Sequence, residues 1–153
     1  MSALATAVGI RAPSLYKRYS GRDAILGAVE IELFADLGAR MTRTLKKART
    51  KKLEATCHAY RSFAHNHPNS YKLMFSASSL HSEEAENIRV RAVLPVIEYL
   101  TSIVGPAHAL PAARTFTAFL HGFISMELGG AFHLKGDVED AFRYGVMALQ
   151  AGL

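Results

Sequence analysis

The chain has 153 residues, half of them apolar and a fifth charged, with a formal net charge of +5 and one cysteine, Cys57. That length can bury a full core in one or two small domains, and a single cysteine excludes an internal disulfide and fits a reducing compartment. The most apolar run, Thr115 to Leu128, is broken by His121 and Glu127 and is shorter than the roughly 20 residues of a membrane span. With no signal peptide visible either, a soluble, cytoplasmic protein is expected.

Five prolines, no tryptophan and few β-branched runs favour an all-α protein. The charge is uneven: Met1 to Lys52 holds 11 Lys/Arg against 4 Asp/Glu, whereas Leu53 to Leu153 holds 7 against 9. Within the basic end, Arg11, Lys17, Arg18 and Arg22 precede the first acid, Asp23. Such a cluster suits a surface that meets phosphates, although a solvated charged face has the same composition.

In chain order, Ser2 to Val8 predicts a short alanine-rich helix with Leu4 and Val8 on one face, positioned to pack on Leu15 and Ile25. Gly9 permits the left-handed turn between helices. Pro13 suits a first helical position and predicts a helix of about seven residues ending near Tyr19. Ser20 and Asp23 have capping-box spacing for a third helix, which the apolar series Ile25, Leu26, Val29, Leu33, Phe34, Leu37 carries to about Lys47. Helix, glycine turn and short helix make helix-turn-helix grammar. A complete domain of this kind normally has another helix in front of these, and none is present in this sequence.

The run Lys46 to Lys52 reads as a solvated junction. A helix from about Lys51 to Asn66 places Leu53, Cys57, Tyr60 and Ala64 on one face and ends before Pro68. A short helix over Asn69 to Phe75 follows, then a polar loop from Ser76 to Ser82. Acids in the first turn mark a helix from Ser82 to Val104, with a kink expected at Pro95. The helix from Pro111 to about Ala131 has a bulky face of Phe116, Phe119, Phe123 and Met126. Its small face is Ala118, Gly122, Ser125 and Gly129. The last helix, Asp137 to Gly152, offers Ala141, Gly145, Ala148 and Gly152 at matching spacing. Two such helices from each of two chains would build a four-helix dimer interface, and a buried central helix of a monomer would show the same periodicity.

Catalytic constellations are weak. His65 and His67 point from different helix faces, with no matching carboxylate or cysteine cluster for a metal. Cys57 and His58 diverge on a helix, His121 and Ser125 lack an orienting acid, and there is no glycine-rich phosphate loop. No enzyme activity, cofactor or metal site is therefore expected.

The order Ala5, Val8-Gly9-Ile10, Pro13-Ser14-Leu15-Tyr16, Arg18-Tyr19, Arg22-Asp23 and Ile25-Leu26 resembles the DNA-binding domain of TetR-type transcriptional regulators. Downstream, Tyr60-Arg61-Ser62-Phe63-Ala64, His67-Pro68 and Tyr71-Lys72-Leu73-Met74-Phe75 resemble the C-terminal domain of the subgroup named for a Trp-His-Gly motif, here Leu120-His121-Gly122. The resemblance implies a helix-turn-helix domain over residues 1–40, lacking its first helix, and a ligand-binding and dimerisation domain over 41–153. It also implies a homodimeric repressor that binds a palindromic operator in double-stranded DNA and responds to a small hydrophobic or aromatic effector. Arg11, Ala12, Pro13 and Ser14 would face base edges, with Arg11 reading guanine, while Tyr16, Lys17 and Arg22 would hold phosphates. Tyr60, Phe63, Met74, Phe75, Phe116, Phe119 and His121 would line the effector pocket, each with core packing as its alternative. The rival expectation, resting on the missing first helix, is a truncated dimeric small-molecule-binding or interaction protein that does not bind DNA as this polypeptide.

Overall fold

A computed structural model describes residues 1–75 and 83–153; among these the chain is all-α, with eight helices and no strand. The expected loop from Ser76 to Ser82 lies outside the described residues. Helices α1 (Ser2–Ala7) and α2 (Ala12–Tyr16) pack through Ala5 and Leu15, the two buried side chains of this end. Leu4 and Val8, expected to face inward, are exposed because α1 turns Ala5 to α2. Gly9 takes φ +70°, and the Ile10 amide reaches back to the Ala5 carbonyl at 2.9 Å, closing the turn.

Helix α2 begins at Ala12 and places Pro13 second, with Arg11 as its N-cap, and is shorter than expected. The Ser20/Asp23 capping box does not form: α3 (Arg22–Lys47) starts after Gly21, with no side-chain cap. Its first-turn Asp23 still complements the helix dipole. Helices α4 (Lys52–Asn66) and α5 (Pro68–Met74) follow, each within a residue of expectation at its start, and α6 runs Glu83–Val104 with Pro95 inside it.

The largest departure is α7 (Pro106–Leu128), which begins five residues before Pro111. Gly105 at φ +77° makes the reversal alone, and Pro106 starts a helix without losing a hydrogen bond. Pro111 then costs one interior ladder bond, offset by burial of Ala109 and Ala113. Helix α8 (Val138–Ala151) is capped by Asp137, whose carboxylate accepts the Glu139 amide at 2.8 Å.

Helices α4, α3, α6 and α7 form a ring in which each packs on the next and α7 closes on α4. Phe63, Leu100 and Ile124 are fully buried inside it, and α8 lies outside, anchored by Phe142 and Val146. Ion pairs centred on Glu30 and on Arg61 fasten elements distant in sequence. Glu30 on α3, 2 % exposed, receives the Arg89 guanidinium of α6. Arg61 on α4 forks onto Glu127 of α7 at 2.6 and 2.9 Å and also pairs with Glu139 of α8. Arg61 further lies 4.5 Å from the Phe142 ring centroid, so one guanidinium ties three helices.

Candidate nucleic-acid interface and ligand cavity

The basic end presents its functional candidates outward. Arg11, Pro13, Ser14, Tyr16, Lys17 and Arg22 are exposed and Ala12 half-buried, while Leu15 faces α1. Every α2 position except Leu15 is thus available to a partner. Among the described residues, Arg11, Lys17, Arg18 and Arg22 form no ion pair, so their charge is unspent. Arg22 is the first residue of α3, where backbone N–H groups also favour an anion.

The ring of helices encloses a cavity of about 100 Å³. Phe34, Leu37 and Met41 come from α3, Cys57 and Tyr60 from α4, Ala92, Val93 and Val96 from α6, and Ala113, Phe116 and Leu120 from α7, with Phe75 beside them. Its polar groups are Thr56, Cys57, Tyr60 and Thr117, and the Thr56 hydroxyl already donates to the Lys52 carbonyl at 2.7 Å. Burial pushes the Cys57 thiol and the Tyr60 phenol each up to about 12, so both stay neutral. Among the described residues, no ionisable cation or carboxylate lines the cavity.

Tyr60, Phe75 and Phe116 of the expected pocket residues meet at this cavity. Phe63 and Met74 do not: both are core residues, at 0 % and 2 % exposed. Phe119 also turns away, stacking on Phe142 of α8 at 5.9 Å. The reason is common to all three: neighbouring helices cover the bulky stripe from several sides, and a period of 3.6 does not say which side encloses space.

His121 sits next to the cavity, in a surface groove of about 250 Å³ lined with Tyr71, Lys72, Phe75 and Ser125. The Tyr71 hydroxyl meets His121 Nδ1 at 3.0 Å and the Tyr60 hydroxyl at 3.4 Å, a polar chain leading out of the core. Burial lowers the His121 pKa and raises that of Tyr71, so the chain is neutral. The Phe75 ring packs at a tilt on His121, 4.2 Å between centroids, and borders both the groove and the cavity.

Ala118, Gly122, Ser125, Gly129, Ala141 and Ala148 are exposed, beside the exposed Met126, Tyr144 and Met147, and of these Ser125 and Gly129 border the groove. Gly145 differs. A Cβ there would stand 2.3 Å from Phe119 Cζ, so its small size serves packing of α8 on α7 within one chain.

Tyr71, Glu30–Arg89 and Arg61–Glu127–Glu139 were not singled out by sequence as structural links. The available signals were a charge on the apolar stripe of α3 at Glu30 and another within the most apolar run at Glu127, each a sign of a buried partner.

Residues 53–149 match the model of the tetracyclin repressor-like C-terminal domain. The whole chain is 32 % identical to the uncharacterized HTH-type transcriptional regulator Rv0681 of Mycobacterium tuberculosis, covering 71 % of it. It is 23 % identical to the uncharacterized HTH-type transcriptional regulator YobS of Bacillus subtilis, again over the whole chain and 81 % of YobS. Two solved structures share the fold. The regulatory protein SCO4313 superposes with a TM-score of 0.75 at 23 % identity, over 97 % of this chain and 83 % of its own. A protein of unknown function from Rhodococcus sp. RHA1 superposes with a TM-score of 0.82 at 21 % identity, over 99 % of this chain and 82 % of its own. With a matching family domain across most of its length and a helix-turn-helix regulator aligned end to end, the chain belongs to the TetR family of transcriptional regulators.

Proposed function

We propose that this regulator is a homodimeric, effector-responsive repressor that binds a palindromic operator through residues 1–40 and a small apolar effector through residues 41–153. The observation that carries the reading is the continuity of α3: Arg22 begins it at the basic end, and Phe34, Leu37 and Met41 of the same helix line the cavity. At 1.5 Å per residue, Arg22 and Phe34 stand about 18 Å apart on one rigid element. A ligand that changes how α3 lies against α6 therefore changes the placement of α2.

Each residue has a role in this reading. Arg11 reads base edges with Ala12, Pro13 and Ser14 beside it, and Tyr16, Lys17 and Arg22 clamp phosphates. Dimerisation through Ala118 and Gly122 of α7 and Ala141 and Ala148 of α8, which lie outside the groove, sets the two α2 helices about one DNA turn apart, roughly 34 to 36 Å. The effector weakens DNA binding because it binds more tightly to a state in which that spacing differs. A regulator of this kind works where the DNA is, in the cytoplasm. Among the described residues no helix is long and apolar enough to cross a membrane.

The rival, a dimeric small-molecule-binding protein that does not itself bind DNA, draws on the exposed Leu4, Val8 and Ile10, an apolar strip without a cover. One experiment separates them. Selection from a random duplex library, followed by fluorescence anisotropy, should yield a palindromic site whose affinity falls steeply with salt. Failure to enrich any sequence would overturn the repressor reading in favour of the rival.

A further inference from the structure

The cavity and the adjoining groove differ in chemistry yet share a wall. Leu120 lines the cavity and its neighbour His121 lines the groove, so the two compartments are one residue apart on α7. Phe75 borders both and forms the partition, its ring packed against His121, Tyr71 and Phe34. It sits at the C-cap of α5 and is 39 % exposed, and a ligand that occupies both spaces has to turn this side chain to another rotamer.

The cavity can take an apolar body and no charge. A buried ion needs a partner, and among the described residues its walls hold hydroxyl and thiol groups beside hydrocarbon. The groove has a cation, the Lys72 ammonium, together with the His121 imidazole and the Ser125 hydroxyl. Tyr71 occupies His121 Nδ1, which leaves Nε2 as the ring nitrogen able to meet a ligand. One cation and two short-range hydrogen-bonding groups match a carboxylate better than a neutral head.

We propose that the effector is a small amphiphilic carboxylic acid, with its hydrocarbon body in the cavity and its carboxylate in the groove against Lys72, His121 and Ser125. This rests on the effector-binding reading above and adds the chemical class. The cavity, about 100 Å³, is smaller than the roughly 150 Å³ void that holds benzene, which limits the body to a short chain or a small ring. Lys72 and His121 are positioned to decide between acids and neutral analogues of the same length.

The test is a titration of the full chain with butanoate and with 1-butanol, followed by ligand-observed NMR. Butanoate should bind about tenfold more tightly than 1-butanol, the worth of one charge-assisted contact. Lys72→Ala, at an exposed position that leaves the fold intact, should bring the ratio close to unity, and His121→Gln should reduce it. Equal affinities in the unaltered chain, or a ratio unmoved by Lys72→Ala, would overturn the carboxylate site and leave the apolar cavity as the effector site. Binding of neither compound would overturn both.

Discussion

Gly38 and Ala92 bring α3 and α6 into backbone contact: a Cβ built on Gly38 would stand 2.7 Å from the Ala92 Cα. One turn toward the basic end, Phe34 lines the cavity, and its ring lies 5.7 Å from the Arg89 guanidinium that pairs with Glu30. The crossing point, the cavity wall and the buried ion pair thus follow one another along α3. Gly38→Val should separate the helices, because the obstructing atoms are backbone and cannot rotate away. Overpacking of this kind costs about 1–3 kcal/mol, and urea denaturation should record it as a lower midpoint. An unchanged midpoint would mean that α3 and α6 are not in backbone contact.

Arg61 should be the most costly polar side chain to remove. Glu127 is 8 % exposed and takes two hydrogen bonds from Arg61 and one from His65. Arg61→Ala leaves that carboxylate buried beside a partly exposed His65 alone, at a cost of about 3 kcal/mol at neutral pH.

The same site makes stability depend on pH. Burial raises the Glu127 pKa, but the hydrogen bonds from Arg61 and His65 outweigh it, and the carboxyl ends below its ordinary value. A depressed folded value contributes stability above the unfolded carboxylate value of about 4.3, and that contribution is lost as pH falls through the folded value. Glu127→Gln should therefore be less stable at pH 7 and should lose less on acidification. Parallel acid profiles for the two proteins would remove Glu127 as the cause.

At the nucleic-acid end, Arg22→Ala should weaken binding to all sequences alike and lower the salt slope by about one, as loss of a phosphate contact does. Tyr16→Phe should also weaken binding, since Tyr16 is exposed and the proposed reading gives its hydroxyl a phosphate. Arg11→Ala should instead relax preference at one base position, at about 1–3 kcal/mol. Anisotropy titrations at several salt concentrations separate these outcomes, and unchanged affinity in all three variants would remove the assigned interface.

If the proposed dimer forms, Gly122→Arg and Ala148→Arg place charge on the exposed small-residue face and should give monomers in sedimentation velocity. Gly145→Ala is expected to act differently. Its methyl group would meet the Phe119 ring within the same chain, so it should lower thermal stability. A dimer undisturbed by both arginines would place the interface elsewhere.

Ala113→Leu adds hydrocarbon to the cavity wall at a buried position. Filling the void should raise stability by about 0.5–2 kcal/mol and abolish response to any effector while operator affinity persists. Retained response would show that the effector binds outside the helical ring.

Periodicity in the sequence determined the all-α class and the faces of the helices: Leu53, Cys57, Tyr60 and Ala64 share one stripe of α4, and all four are buried. Glycine and proline chemistry determined the turn at Gly9, and the charge imbalance marked one basic end. Those features are local, decided by residues within a turn or two of one another. The start of α7 was not legible, since Gly105 and Pro106 read equally as a stop and as a start, and packing of Ala109 decides for a start.

Only the tertiary structure decided which bulky residues enclose space and which fill it. Tyr60 and Phe63 lie three residues apart on one helix, yet the first borders the cavity and the second is solid core. The same holds for Arg61 with Glu127 and Glu30 with Arg89, pairs 66 and 59 residues apart. A stripe fixes the side of a helix that is covered, whereas a pair or a void depends on the crossing of two or more helices, and that crossing is set by the packing of the whole ring.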